Sequence, residues 1–133
     1  MKKFSFALLI LSGMLVLGYT GSTAQQKSEK IYWMSYATVP LGKMSAYHKL
    51  EQEKLVPARE KAGYHYVAGW QTIVGEIEEV ITVTEFDDMN AYQKARAALL
   101  SSPEWKAAIA DMADMTRGAH TSLMSALPYI KSK

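Results

Sequence analysis

Cysteine is absent from this chain of 133 residues, which excludes disulfide staples, thiolate nucleophiles and cysteine-ligated metal centres. Charge of one sign is not in excess either, because 15 lysines and arginines stand against 13 acidic residues. No Lys/Arg cluster offers the footprint that nucleic acid or anionic lipid requires. There are three histidines, His48, His65 and His120, and their spacing matches no metal-ligand pattern. A glycine-rich phosphate loop, a dinucleotide fingerprint and a nucleophile constellation are all missing, so neither metal nor cofactor is expected. Long apolar runs are missing too: the longest, Phe4 to Leu17, falls short of the ~20 residues that span a bilayer.

What is present begins with an address. Met1-Lys2-Lys3 is a short basic start, the apolar run follows, and Ser22-Thr23-Ala24 places small residues where a signal peptidase cuts. Residues 1–24 are therefore expected to be a secretory signal peptide, with a periplasmic or secreted product and no membrane contact after cleavage. Lys2 and Lys3 leave with it, so the mature chain carries 13 basic and 13 acidic residues. Residues 25–30 (QQKSEK) read as a polar leader.

The remaining hundred residues read as one domain, 31–130. Ile31 to Val39 is aromatic and β-branched and stops at Pro40, as a strand does. Lys43 to Ala62 has helical composition, with a kink or a new first turn expected at Pro57 and a C-cap at Gly63. Tyr64 to Val74 and Glu79 to Phe86 are extended runs joined by Gly75 to Glu78, the form of a hairpin. Met89 to Leu100 and Glu104 to about Thr116 are helices flanking Pro103, and His120 to Tyr129 is a last strand. This order is the ferredoxin-like split βαβ arrangement, an α+β fold with its helices on one face of an antiparallel sheet. The other face keeps bulky apolar groups, so a second copy is expected to cover it, forming a homodimer.

The run Val80 to Trp105 (VITVTEFDDMNAYQKARAALLSSPEW) is similar to a NIPSNAP domain. So are Tyr36 and Pro40-Leu41-Gly42, Gly63-Tyr64 and Gly75, and the closing Leu127-Pro128-Tyr129. The resemblance covers about residues 31–130 and is most specific at Arg96, Pro103 and Trp105. It implies membership of the dimeric α+β barrel superfamily and leaves the reaction, if any, open.

Two charged residues stand out against the helical periodicity. At about 100° per residue, Glu51 falls within the stripe of Met44, Tyr47, Leu50 and Leu55, with His48 at its edge. In the second helix Arg96 falls in the middle of the stripe of Met89, Tyr92, Leu99 and Leu100. A carboxylate on an apolar face must be paired, protonated or functional, so Glu51 and Arg96 are expected to form a structural ion pair between helices. The alternative is a proton-transfer role for Glu51.

Two functions follow. The first is a non-enzymatic domain binding a small apolar or aromatic ligand, or a protein partner, through a barrel cavity lined by Tyr36, Trp70, Thr82, Thr84 and His120. The second is a cofactor-independent monooxygenase or isomerase acting on a small aromatic substrate, with Glu51, His48 or His65 as base and Tyr36 or Trp70 holding the ring. Haem binding would need His120 as an axial ligand inside the cavity.

Overall fold

The computed structural model describes residues 29–130, so the expected signal peptide and most of the polar leader lie outside the described residues. Strand β1 (Ile31–Thr38) leads through a 3-10 turn (Leu41–Lys43) into α1 (Met44–Leu50), a π-helical turn (Glu51–Leu55) and α2 (Val56–Ala62). Strands β2 (His65–Gln71) and β3 (Glu79–Phe86) form the hairpin, α3 (Met89–Ser101) and α4 (Pro103–Ala113) follow, and β4 (Gly118–Ser125) ends the domain. The sheet is antiparallel throughout, in the order β2-β3-β1-β4. This is the expected split βαβ topology, with β2 and the last strand shorter than their apolar runs suggest. Among the described residues no helix is long and apolar enough to cross a membrane.

Local chemistry explains where the helices begin and end. Asp88 caps α3 by accepting from the Ala91 amide at 2.7 Å, and Ser102 caps α4 by accepting from the Trp105 amide at 3.1 Å. Gly63 closes α2 at φ 102°, a backbone conformation that a β-carbon would strain.

The kink expected at Pro57 takes a specific form. Proline lacks an amide hydrogen and its ring crowds the carbonyl four residues back. The chain answers by widening the turn just before it, and the Val56 amide bonds to the Glu51 carbonyl five residues back. A π turn absorbs one extra residue. Residues α1 and α2 place on either side of it are thereby brought back into phase, and Arg59, eight residues after Glu51, behaves as though it were seven after it.

Cross-strand register divides the sheet into two faces. Ile31, Trp33, Ala37, Val80, Thr84 and Phe86 face the helices, where they join Met44, Tyr47, Tyr64, Ala95 and Leu99 in the core. Edge-on aromatic contacts run through this layer, from Trp33 to Tyr64 (5.5 Å), to Phe86 (5.0 Å) and to Tyr92 (5.3 Å). A further cluster of Leu50, Leu55 and Ala108 ties the first helix to α4. Tyr32, Met34, Tyr36, Trp70, Ile81, Val83 and Met124 occupy the opposite face.

Strand β2 does not keep its alternation. A bulge at Val67 breaks the register between Tyr66 and Ala68. Simple alternation would aim Tyr66, Ala68 and Trp70 together at the helices. With the bulge, Tyr66 pairs with Thr84, Gly69 with Thr82 and Gln71 with Val80 on the helix side, while Trp70 pairs with Ile81 on the other. Gly69 therefore takes the place opposite Thr82 that Ala68 would hold, and Gln71 the place opposite Val80 that Trp70 would hold, while Trp70 moves to the other face.

Candidate functional site

The space that Gly69 leaves is a cavity of about 510 Å³ between the first helix and the β2-β3 hairpin. Apolar groups from Val56, Val67, Ala68, Trp70, Val80 and Ile81 make most of its wall. Its polar members are His48, Glu51, Tyr66, Gln71 and Thr82. His48 and Gln71 are exposed and hydrogen-bonded to each other at 3.0 Å, which makes them its outer end.

Glu51 and Tyr66 make the inner end, and both are held by one buried guanidinium. Arg59, 3% exposed, donates from Nη1 to Glu51 Oε2 at 3.1 Å and to Oε1 at 3.4 Å. The same nitrogen donates to the Tyr66 hydroxyl at 2.8 Å. Tyr47, one turn before Glu51, donates its own hydroxyl to Glu51 Oε1 at 2.8 Å. Trp33 and Trp105 place their rings 5.3 and 5.0 Å from the guanidinium carbon, so its charge also meets two π faces. Burial works against the Arg59 charge, but Glu51 and the tyrosines outweigh it and hold the guanidinium above its ordinary range.

This network corrects the expected partner of Glu51. The ion pair is with Arg59, not Arg96. Arg96 is exposed, because the buried line of α3 runs through Ala95 and Leu99 while Met89 and Leu100 face outward. The stripe expected from the sequence gave those two exposed residues the weight of core.

The other candidates divide by sheet face. Thr82 lines the cavity with Glu51 and His48 from the helix side, and Trp70 borders it along β2 while its register position is on the opposite face. Thr84 is fully buried and donates to the Trp33 carbonyl at 3.5 Å, away from the cavity wall. Tyr36 and His120 lie on the opposite face, stacked on each other at 4.5 Å and 7°. His120 is thus separated by the sheet from the cavity beside β2 and stands on the face expected to line a dimer barrel. His65 is exposed at the start of β2, on the same opposite face as Glu85. Among the described residues no three His, Asp or Glu side chains come together as a metal site. Arg59, Tyr66, Gly69 and Gln71 were not singled out by the sequence; Pro57, two residues before Arg59, was the one local signal near them.

Three tyrosines of this layer titrate above their usual range. Burial, then Glu51, pushes Tyr47 up; burial, then Tyr92, pushes Tyr64 up to about 12; burial raises Tyr66 against the opposing pull of Arg59. Each fold-state value lies above the ordinary 10.0. The stabilisation from keeping these hydroxyls neutral is thus complete below pH ~10 and lost as pH rises through and beyond it. Urea midpoints measured from neutral to alkaline pH are expected to hold level and then fall from about pH 10. The fall is expected to be shallower in Tyr66→Phe.

Sheet order, bulged hairpin and a one-sided helical layer define an α+β domain of the kind found in dimeric α+β barrels. The NIPSNAP family model matches residues 33–131, nearly all of the described chain, and the protein belongs to the NIPSNAP family. A NIPSNAP family protein of Agrobacterium tumefaciens superposes with a TM-score of 0.69 at 17% identity, over 77% of this chain and 90% of that one. A NIPSNAP domain protein of Burkholderia xenovorans gives 0.69 at 15% identity, over 77% and 99%. SnoaB, a cofactor-independent oxygenase from Streptomyces nogalater, gives 0.59 at 9% identity, over 79% and 100%. At these identities the likeness is one of fold. No curated protein sequence matches the chain.

Proposed function

We propose that this protein binds a small, planar, mainly apolar molecule in the cavity beside β2, as an exported homodimer. The observation that carries the reading is the bulge that turns Trp70 away from the first helix and leaves Gly69 and Gln71 beside a cavity of about 510 Å³ whose exposed lining is mainly apolar. A chain built only for packing would fill that space. Export is supported by the basic, apolar and small-residue order of residues 1–24. Dimerisation is supported by the aromatic and aliphatic face opposite the helices, where Trp70 is 56% exposed.

The catalytic alternative, a cofactor-independent monooxygenase or isomerase, draws its support from the fold shared with SnoaB. It needs a base in the cavity. Both oxygens of Glu51 already accept from Arg59, and one also accepts from Tyr47. We therefore read Glu51 as the keystone of the cavity's inner end rather than as the group that takes a proton. His48 is the imidazole left there, and it is engaged with Gln71.

Filling the cavity tests the binding reading. A β-carbon added at Gly69 would meet the Ile81 carbonyl at 3.7 Å and the Thr82 methyl at 3.8 Å, ordinary contacts, and the backbone there is not left-handed. Gly69→Leu is thus expected to fold and to fill the space. Calorimetric titration with tetralin, a bicyclic hydrocarbon, is expected to show saturable binding to the natural protein and at least a tenfold loss in Gly69→Leu. Equal binding by the two proteins would place the ligand elsewhere and overturn the proposal.

A further inference from the structure

The inner end of the cavity has a chemistry of its own, and it narrows the kind of molecule that fits. Tyr66 accepts a hydrogen bond from Arg59 at 2.8 Å. A phenol that accepts in this way still has its own hydrogen to give, and that hydrogen meets no acceptor among the described residues. Tyr47, by contrast, directs its hydrogen to Glu51. The two hydroxyls of the network therefore differ in role. One is closed, and the other is a donor with no acceptor among the described residues.

Charge at this end is balanced locally. Glu51 and Arg59 are both buried and paired at 3.1 Å, so they present no net charge to an occupant. Of the pair, Glu51 and not Arg59 is the residue that lines the cavity. An occupant carrying its own carboxylate would meet that oxygen across a space of low polarity, where like charges repel strongly. A neutral oxygen acceptor meets no such opposition. Arg59 polarises the Tyr66 hydroxyl and makes it a better donor.

The geometry points to a neutral carbonyl compound, a planar ketone or quinone, as the class of ligand, with its oxygen accepting from the Tyr66 hydroxyl and its apolar body lying along Gly69 toward Gln71. This rests on the binding reading above. Tyr66 is the specificity-determining residue, and Arg59 positions it: the guanidinium fixes the phenol oxygen, and the π turn at Glu51–Leu55 puts the guanidinium in place. The bulge at Val67 completes the arrangement, since it lets Tyr66 and Gly69 face the same space although three positions separate them.

Three probes of similar size test the assignment: tetralin, its ketone α-tetralone, and naphthoate. The purified protein is expected to bind α-tetralone about fivefold more tightly than tetralin, the effect of one well-placed neutral hydrogen bond. Naphthoate is expected to bind more weakly than either. Tyr66→Phe keeps the ring and removes only the donor, and is expected to bind the ketone and the hydrocarbon equally. Glu51→Gln keeps the shape, leaves Arg59 uncompensated and is expected to raise naphthoate affinity tenfold or more. Equal affinity of the natural protein for tetralin and α-tetralone would overturn the carbonyl anchor while leaving the cavity reading intact. Tighter binding of naphthoate than of α-tetralone would overturn the neutral-ligand assignment. Binding of neither neutral probe would overturn the cavity reading itself. The comparison of probes on the natural protein decides the matter even if a variant fails to fold.

Discussion

Arg59→Ala is expected to lower the unfolding free energy by about 3–5 kcal/mol, the largest stability loss expected from any single surface-to-core charge in this domain. The reason is what the change leaves behind. Glu51 is 8% exposed, and without the guanidinium its only remaining donor in the network is Tyr47. A buried carboxylate with one neutral donor cannot recover the hydration it gave up on folding. Trp33 and Trp105 would also lose the planar group lying against their rings. Glu51→Ala is expected to cost a similar amount, because it strands the guanidinium instead. Arg59→Lys is expected to rescue little, since a compact ammonium cannot lie flat between two indoles and serve both Glu51 and Tyr66.

The double replacement Glu51→Leu with Arg59→Met separates net worth from stranding. Both charges leave together, and apolar chains of similar length fill the site beside Tyr47, Trp33 and Trp105. Much of the single-mutant loss is expected to return. Urea denaturation of the natural protein, the two single variants and the double variant measures all four corners. Small and additive losses would show that Glu51 and Arg59 do not depend on each other. Arg96→Ala serves as a control, and its exposed side chain is expected to change stability by less than about 0.5 kcal/mol.

The Glu51–Arg59 pair shows what a sequence of this kind carries and what it hides. Strand and helix order was legible because aromatic and β-branched runs, Asp88, Ser102, Pro103 and Gly63 each act locally. The placement of Glu51 on an apolar face was legible too, since it directly follows the seven residues of regular helix that begin at Met44. Arg59 was not. In an uninterrupted helix a residue eight positions on points about 80° away, and only the extra residue in the π turn brings it back. Pro57 marked the place of the distortion but not its sense, because proline is met equally by a kink, a fresh start or a widened turn. The second illegible feature, the Val67 bulge, has the same character. One added residue exchanges the faces of Trp70 and Gly69, and no local residue preference in VAGW announces it. The cavity is made by two insertions of one residue each, one in a helix and one in a strand, and periodicity arguments assume that neither exists.

The face opposite the helices yields the other large expected effect. Met34 lies on it at the centre of β1, beside Val83 in one neighbouring strand and Ser122 in the other. If a second copy covers this face about a two-fold axis, each dimer contains the same site twice, and one substitution acts twice. Met34→Glu would then place two carboxylates in an apolar interface. At roughly 3 kcal/mol for each unpaired charge, the dissociation constant is expected to rise by about four orders of magnitude. The side chain points away from the helix-side core of Phe86, Tyr64 and Leu99, so the separated chain is expected to retain its helices and sheet. Sedimentation equilibrium of the signal-free protein at micromolar concentration is expected to give a dimer for the natural chain and a monomer for Met34→Glu, with similar far-ultraviolet circular dichroism. A monodisperse monomer of the natural chain would mean that Tyr32, Met34, Tyr36, Trp70 and Ile81 face water or another partner, and the homodimer would be lost from the proposal. A dimer that survives Met34→Glu unchanged would place the contact elsewhere, with the edge strand β4, exposed along its whole length, as the surface to test next.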